Sequence, residues 1–80
     1  TMNNKELFDK LAGFAKTAYQ YKGDVTADTT FDELGKESMK MIALTSLIED
    51  ELDVEVTIHE VMKMKTFGEL VDRVAEEYEE

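Results

Sequence analysis

The segment TFDELGKESMKMIALTSLIEDEL, residues 30–52, contains the clearest helix signals of the chain. It opens with a Thr-x-x-Glu pattern at Thr30, in which the two side chains cap each other's backbone N–H groups at the start of a helix. Gly35 then closes a short helical turn, because glycine commonly follows the end of a helix. From Ser38 to Leu52 apolar residues recur at helical spacing and predict a long helix with one inward stripe, made of Met41, Leu44, Thr45, Ile48 and Leu52.

Three further helices are predicted on either side of this stretch. A first helix over residues 4–19 has Asn3 and Glu6 as a capping pair and an apolar face of Leu7, Phe8, Leu11, Phe14, Ala15 and Ala18. Thr-x-x-Glu patterns at Thr57 and Thr66 open a short helix and a closing helix. Proline is absent and strand-like alternation is confined to residues 54–56. We therefore predict an all-α four-helix bundle with a short third helix and a long loop between helices one and two.

Length and charge limit what the chain can do. Its 80 residues are expected to form one domain, residues 1–80, with a small core. Nineteen acidic and nine basic residues give a net charge of -10, which disfavours binding to nucleic acid or anionic membranes and favours a basic protein partner. Most of the charge lies in residues 41–80, which hold twelve acids and three bases.

Several classes of site are excluded by missing residues. The chain has no cysteine, hence no disulfide, thiolate metal site or thiol nucleophile of its own. The acidic run from Glu49 to Glu55 lacks the glycine and ligand order of a calcium loop, so no metal site is predicted. The only histidine is His59, which we place on the surface of the short third helix, and a serine hydrolase would need a base beside Ser38. The chain is therefore not predicted to be an enzyme.

The distribution of apolar residues predicts the cellular compartment. No apolar run approaches the roughly 20 residues of a membrane span, and the first residues do not resemble a signal peptide. We expect a cytoplasmic protein without membrane insertion.

The segment Leu34-Gly35-Lys36-Glu37-Ser38-Met39 resembles the signature of the acyl carrier protein family, the phosphopantetheine-binding carrier domains. In that signature Leu-Gly, a variable residue, an acid and a serine precede an apolar residue. The order of the predicted helices is similar to the family over most of the chain. This resemblance implies the acyl carrier type of bundle, with 4'-phosphopantetheine attached covalently to Ser38 by a phosphopantetheinyl transferase. Acyl groups would then be held as thioesters on the thiol of that arm.

The position of Ser38 supports this interpretation on physical grounds. Free backbone N–H groups and the helix dipole favour an anion at the start of a helix, and Lys36 and Lys40 add positive charge there. The alternative is that Ser38 only caps its helix, which is a common role for serine.

The resemblance also implies two surfaces around the arm. A face that docks acyl-transferring or condensing enzymes through their basic patches would comprise Glu37, Met39, Ile42, Ala43, Glu49 and Asp50. Ile42 is equally compatible with the core. An interior that opens to shelter an acyl chain would be lined by Met41, Leu44, Ile48, Val61, Met64 and Leu70. The methionines at 39, 41, 62 and 64 are compatible with an adaptable lining or with core filling.

Departures from the family pattern limit the prediction of a pathway. Glu37 replaces the usual Asp, Met39 the usual Leu, Ala43 a common acid and Thr57 a frequent proline. They favour a specialised lipid or secondary-metabolite pathway, polyketide formation included, over bulk fatty acid biosynthesis. Two other functions stay open, an aminoacyl or peptidyl carrier and an unmodified acidic helical interaction module. The high acidity and single-domain length favour an acyl carrier, which we expect to be a monomer.

Overall fold

The computed structural model describes residues 2–78 and contains five helices in that range. They are α1 (Asn4–Tyr19), α2 (Phe31–Leu34), α3 (Ser38–Leu52), α4 (Ile58–Met62) and α5 (Phe67–Glu77). Helix α1 packs against α3 and α5, and α4 packs against α3. The prediction of an all-α fold is confirmed, and α2 is the short turn predicted after Thr30. The short third helix of the predicted bundle is α4.

Local side-chain caps explain where the helices begin. Asn3 Oδ1 accepts a hydrogen bond from the Glu6 N–H at 2.8 Å, while the Glu6 carboxylate accepts one from the Asn3 N–H at 3.1 Å. Capping boxes also open α4 at Thr57 and α5 at Thr66. Each box satisfies N–H groups that have no partner inside the helix. The starts of α1, α4 and α5 therefore agree with the sequence pattern.

One hydrophobic cluster holds the bundle together. Its largest fully buried side chains come from every helix and from the segment before α4: Phe31, Phe67, Leu11, Leu44, Ile48, Leu70, Val54, Val61 and Val74. The Phe8 and Phe67 rings meet edge to face with centroids 5.5 Å apart, joining α1 to α5. Phe14 and Ala18, expected on the inner face of α1, are only partly buried at its edge.

The long loop after α1 is tied to the start of α5. An isolated antiparallel bridge pairs Thr30 with Thr66. Beside it the Gly68 N–H donates to the Ala27 carbonyl at 2.9 Å. These backbone bonds place Phe31, which is 1% exposed, in the core at the base of α2. They thereby fix the position from which the chain enters α3.

A second tie joins α5 to α4 through Arg73. Its Nε lies 2.6 Å from Glu60 Oε1, and its guanidinium also bonds the Glu55 carbonyl at 3.2 Å. The alternation at residues 54–56 belongs to this connection: Val54 and Val56 are buried and no strand forms there. Within residues 2–78, no helix is long and apolar enough to cross a membrane.

Candidate functional site

Ser38 is the first residue of α3, and its side chain is exposed. The chain reaches it through a tight connection after α2. Gly35 has φ 106°, a value that residues with a Cβ rarely adopt, and its carbonyl accepts from the Glu37 N–H at 2.9 Å. This turn lets α3 begin three residues after Gly35 and presents Ser38 at the surface.

The start of α3 has no side-chain cap. The N-cap position is Glu37, whose side chain makes no capping hydrogen bond. The interpretation that Ser38 caps the helix is therefore wrong, because Ser38 lies one residue inside it. In each of the other four described helices a side chain accepts a hydrogen bond from a backbone N–H at the start. In α3 no side chain of the described residues caps the first N–H groups, which are therefore available to an external acceptor.

Charge around this helix start favours an anion. The first turn of α3 contains no acidic residue. Lys40 Nζ lies 3.3 Å from Glu37 Oε2, and Lys36 Nζ lies 3.8 Å from Asp32 Oδ1. Two lysines thus flank Ser38, next to unpaired N–H groups at the positive end of the helix dipole. An exposed hydroxyl in these surroundings fits a serine that carries a phosphodiester.

The sequence of this chain is similar to those of known proteins. Residues 10–74 match the model of the phosphopantetheine attachment site family. The acyl carrier protein of Clostridium perfringens (strain 13) is 31% identical over 75 residues, which cover 91% of this chain and 99% of that protein. The acyl carrier protein of Lactococcus lactis subsp. lactis is 42% identical over 53 residues, 66% of this chain and 70% of that protein. The chain belongs to the acyl carrier protein family.

This membership establishes the general function of the carrier. It is a carrier of covalently attached 4'-phosphopantetheine and is not a catalyst. Partners of such carriers include a phosphopantetheinyl transferase and the enzymes that handle the acyl groups.

The predicted docking residues lie along the outer side of the carrier's α3. Met39 is 82% exposed and Ile42 is 50% exposed, so neither is a core residue. Ala43, Glu49 and Asp50 follow at helical spacing on the same side, with both acids exposed. Glu37, at the N-cap, is exposed as well and pairs with Lys40. The interpretation of Met39 as core filling is wrong.

The predicted acyl-chain lining lies in the closed core. Five of the six residues are buried in the hydrophobic cluster, and Met64 packs against it partly buried: Met41, Leu44, Ile48, Val61, Leu70 and Met64. Met64 also borders a surface cavity. An acyl chain could enter among these residues only if the helices separated.

Sequence reasoning missed a cavity of about 280 Å³ between α2 and the connection from α4 to α5. Two methionines are its accessible apolar side chains, and it is also lined by the buried Phe31 and by lysines from two separate segments. One of these methionines is Met62, which is 49% exposed. The spacing of residues in the sequence gave no signal for this cavity, because its walls come from segments that only the fold brings together.

In the described residues no group of His, Cys, Asp or Glu side chains is arranged to hold a metal ion. The acidic run after residue 48 therefore forms no such cluster in this structure.

Proposed function

We propose that Ser38 is the attachment point of the 4'-phosphopantetheine arm and that the chain presents acyl groups on it to partner enzymes. One observation carries this proposal: Ser38 lies exposed at the first position of the described helix that begins without a side-chain cap. When bound, the arm supplies a thiol that holds acyl groups as thioesters.

The attachment reaction needs only the Ser38 hydroxyl from this chain. On a transferase, Ser38 Oγ bonds to the phosphorus of coenzyme A that bears pantetheine, and the hydroxyl proton leaves. The bond to the second phosphate breaks, and adenosine 3',5'-bisphosphate departs. The new phosphodiester is an anion beside the first N–H groups of α3, and Lys36 and Lys40 offset its charge.

Intact-mass spectrometry after incubation with coenzyme A and a broad-specificity transferase tests the proposal. The wild-type chain should gain one phosphopantetheine. The only two serines are Ser38 and Ser46, and both are exposed on α3, so Ser46→Ala is a matched control. Ser46→Ala should load fully and Ser38→Ala should not load. Loading of Ser38→Ala, or no loading of the wild type by several transferases, contradicts the proposal.

We further propose that the exposed side of α3 docks partner enzymes that carry basic patches. Glu37, Met39, Ile42, Ala43, Glu49 and Asp50 are its proposed contact residues. Exposed apolar side chains beside acids support this, since such patches commonly mark interaction sites. The large exposed apolar side chains of the described part are Met39, Ile42 and Met62. This small area suits a transient complex better than a permanent dimer, so we propose that the carrier acts as a monomer.

We also propose that the interior opens to admit an acyl chain. The six residues predicted to line it would then surround the chain. Residues 1–80 are proposed to form one carrier domain, supported by the single hydrophobic cluster. A specialised lipid or secondary-metabolite pathway remains our proposal for its context, and the cytoplasm remains the predicted compartment.

A further inference from the structure

The cavity between α2 and the segment after α4 combines apolar and cationic side chains. Its accessible apolar side chains are Met62 and Met64, and the buried Phe31 lies beneath them. Its cationic part is made of Lys36, Lys63 and Lys65, three of the nine basic residues of a chain with net charge -10. Such a concentration of positive charge on an acidic molecule favours an anionic ligand.

Two of these lysines form no ion pair in the described part of the chain. Lys36 Nζ lies 3.8 Å from Asp32 Oδ1, and Asp32 is the one acid that lines the cavity. Lys63 and Lys65 make no ion pair with any described residue. The acid nearest in sequence to Lys65 is Glu69, whose carboxylate already accepts hydrogen bonds from backbone N–H groups at 2.8 Å and 2.7 Å. Backbone hydrogen bonds from Thr66 and Lys65, and to a smaller extent the charge of Lys65, lower the pKa of the Glu69 carboxyl. Neither Lys63 nor Lys65 is held in an ion pair within residues 2–78, so both ammonium groups can contact a ligand.

The cavity lies close to the proposed attachment point. Lys36 lines it and precedes Ser38 by two residues, which places their Cα atoms at most about 7 Å apart. A group tethered to Ser38 through a flexible arm is present at a high effective concentration there, so a weak site can still be occupied. A free ligand would not have this advantage.

We propose that this cavity receives acyl cargo that ends in a carboxylate, with the methylene groups against Met62 and Met64 and the carboxylate between Lys63 and Lys65. This inference rests on the proposed function, because it needs the arm on Ser38. It adds a substrate class: the carrier prefers to fold an ω-carboxyacyl group back onto its own surface, whereas an uncharged chain of equal length lacks the ionic contact.

The test uses the carrier loaded with glutaryl-pantetheine, labelled with ¹³C at the terminal carboxyl, from glutaryl-coenzyme A and a transferase. Intact mass first confirms loading, and ¹³C NMR then gives the pKa of the cargo carboxyl. Two variants are compared with the wild type: Lys63→Gln/Lys65→Gln and Lys10→Gln/Lys22→Gln. Both remove two positive charges, but Lys10 and Lys22 are exposed and do not line this cavity. Thermal unfolding verifies that both variants fold.

We expect the cargo carboxyl pKa in the wild type to lie about half a unit below that in Lys63→Gln/Lys65→Gln, as for an exposed ion pair. Lys10→Gln/Lys22→Gln should keep most of the wild-type value, and the difference should shrink at high salt. With pentanoyl cargo, the amide shifts of Lys63 and Lys65 should change less than with glutaryl cargo.

Each failure has a distinct meaning. If no group is added to Ser38, the proposed function is wrong and this inference fails with it. If glutaryl is loaded but its carboxyl titrates alike in all three proteins, or shifts equally in both variants, the inference alone is overturned. In that case Lys63 and Lys65 do not bind the cargo. They would instead be available to contact an acidic surface of a partner protein.

Discussion

A serine one residue inside a helix differs chemically from a serine that caps it. A capping hydroxyl is occupied by backbone N–H groups, whereas the Ser38 hydroxyl at the first helical position of α3 is not. Glu37 takes the cap position without capping, so both the hydroxyl and the helix start remain accessible. The sequence could predict the identity and exposure of Ser38, but not this one-residue offset, because the backbone angles at Glu37 decide it.

Tyr19 is a residue whose polar group the fold leaves unsatisfied. It is 2% exposed, its hydroxyl has no hydrogen-bond partner among residues 2–78, and its ring lies against Phe31 with centroids 6.5 Å apart. Burial raises the pKa of Tyr19 to about 12. Since burying an unpaired hydroxyl is unfavourable, Tyr19→Phe should raise the free energy of unfolding at neutral pH by about 1 kcal/mol.

The pH dependence of the same variant gives an independent check. Because the folded pKa of Tyr19 exceeds its unfolded value of about 10, its contribution to stability is intact below pH 10 and is lost as the pH rises towards 12. Urea unfolding at neutral and alkaline pH should show a smaller alkaline loss in Tyr19→Phe than in the wild type. Tyr78→Phe, at a partly buried site, serves as the control. A destabilised Tyr19→Phe variant would mean that the hydroxyl has a partner.

At the scale of elements, local patterns predicted the helices well and non-local contacts were missed. The capping pairs at Asn3, Thr57 and Thr66 act over three residues, so they can be recognised in the sequence. The ends of α1 and α3 were predicted at Tyr19 and Leu52 and lie there, although no glycine follows them: Gln20 and Asp53 adopt left-handed angles, with φ 54° and 57°. The bridge between the long loop and α5 joins residues too distant in sequence for any spacing rule.

Two helical glycines form a matched pair that tests the contact between the loop and α5. A Cβ at Gly13 of α1 would meet nothing within 4 Å, whereas a Cβ at Gly68 of α5 would lie 3.0 Å from the Ala27 carbonyl oxygen. Alanine is the better helix former by about 1 kcal/mol. Gly13→Ala should therefore raise the free energy of unfolding by about that amount, and Gly68→Ala should lower it because the loop is held by backbone bonds. If urea unfolding shows that Gly13→Ala and Gly68→Ala are stabilised equally, the loop moves to accommodate the new Cβ at no cost in free energy.

On the scale of the whole molecule, the carrier has an uneven distribution of charge. The acidic run after residue 48 follows the apolar part of α3, while Lys36, Lys63 and Lys65 gather at the cavity beside α2. Net charge and its excess in the second half could be predicted from the sequence. The lysine cluster could not, because Lys36 and Lys63 become neighbours only when the loop is tied to the start of α5.

The closed core must open before it can shelter cargo, and the effect of this opening on stability can be measured. Met41, Leu44, Ile48, Val61, Met64 and Leu70 must separate before an acyl chain can enter, and burying the chain returns roughly 25 cal/mol per Å² of apolar area. Octanoyl cargo should therefore raise the melting temperature above that of acetyl cargo, with NMR shift changes concentrated at those six residues. Octanoyl-coenzyme A mixed with Ser38→Ala should have no such effect. If octanoyl and acetyl cargo give the same melting temperature and spectrum, the chain stays outside the core.

The most direct test of the account is a ³¹P–¹H correlation spectrum of the loaded carrier, since it reports which residue is bonded to phosphorus. We predict that the phosphodiester phosphorus couples to the β protons of Ser38. We also predict that the amide shifts of Ser38, Met39 and Lys40 change on loading, because these N–H groups lie at the uncapped start of α3. Coupling to the β protons of Ser46 or of any threonine would contradict the central claim.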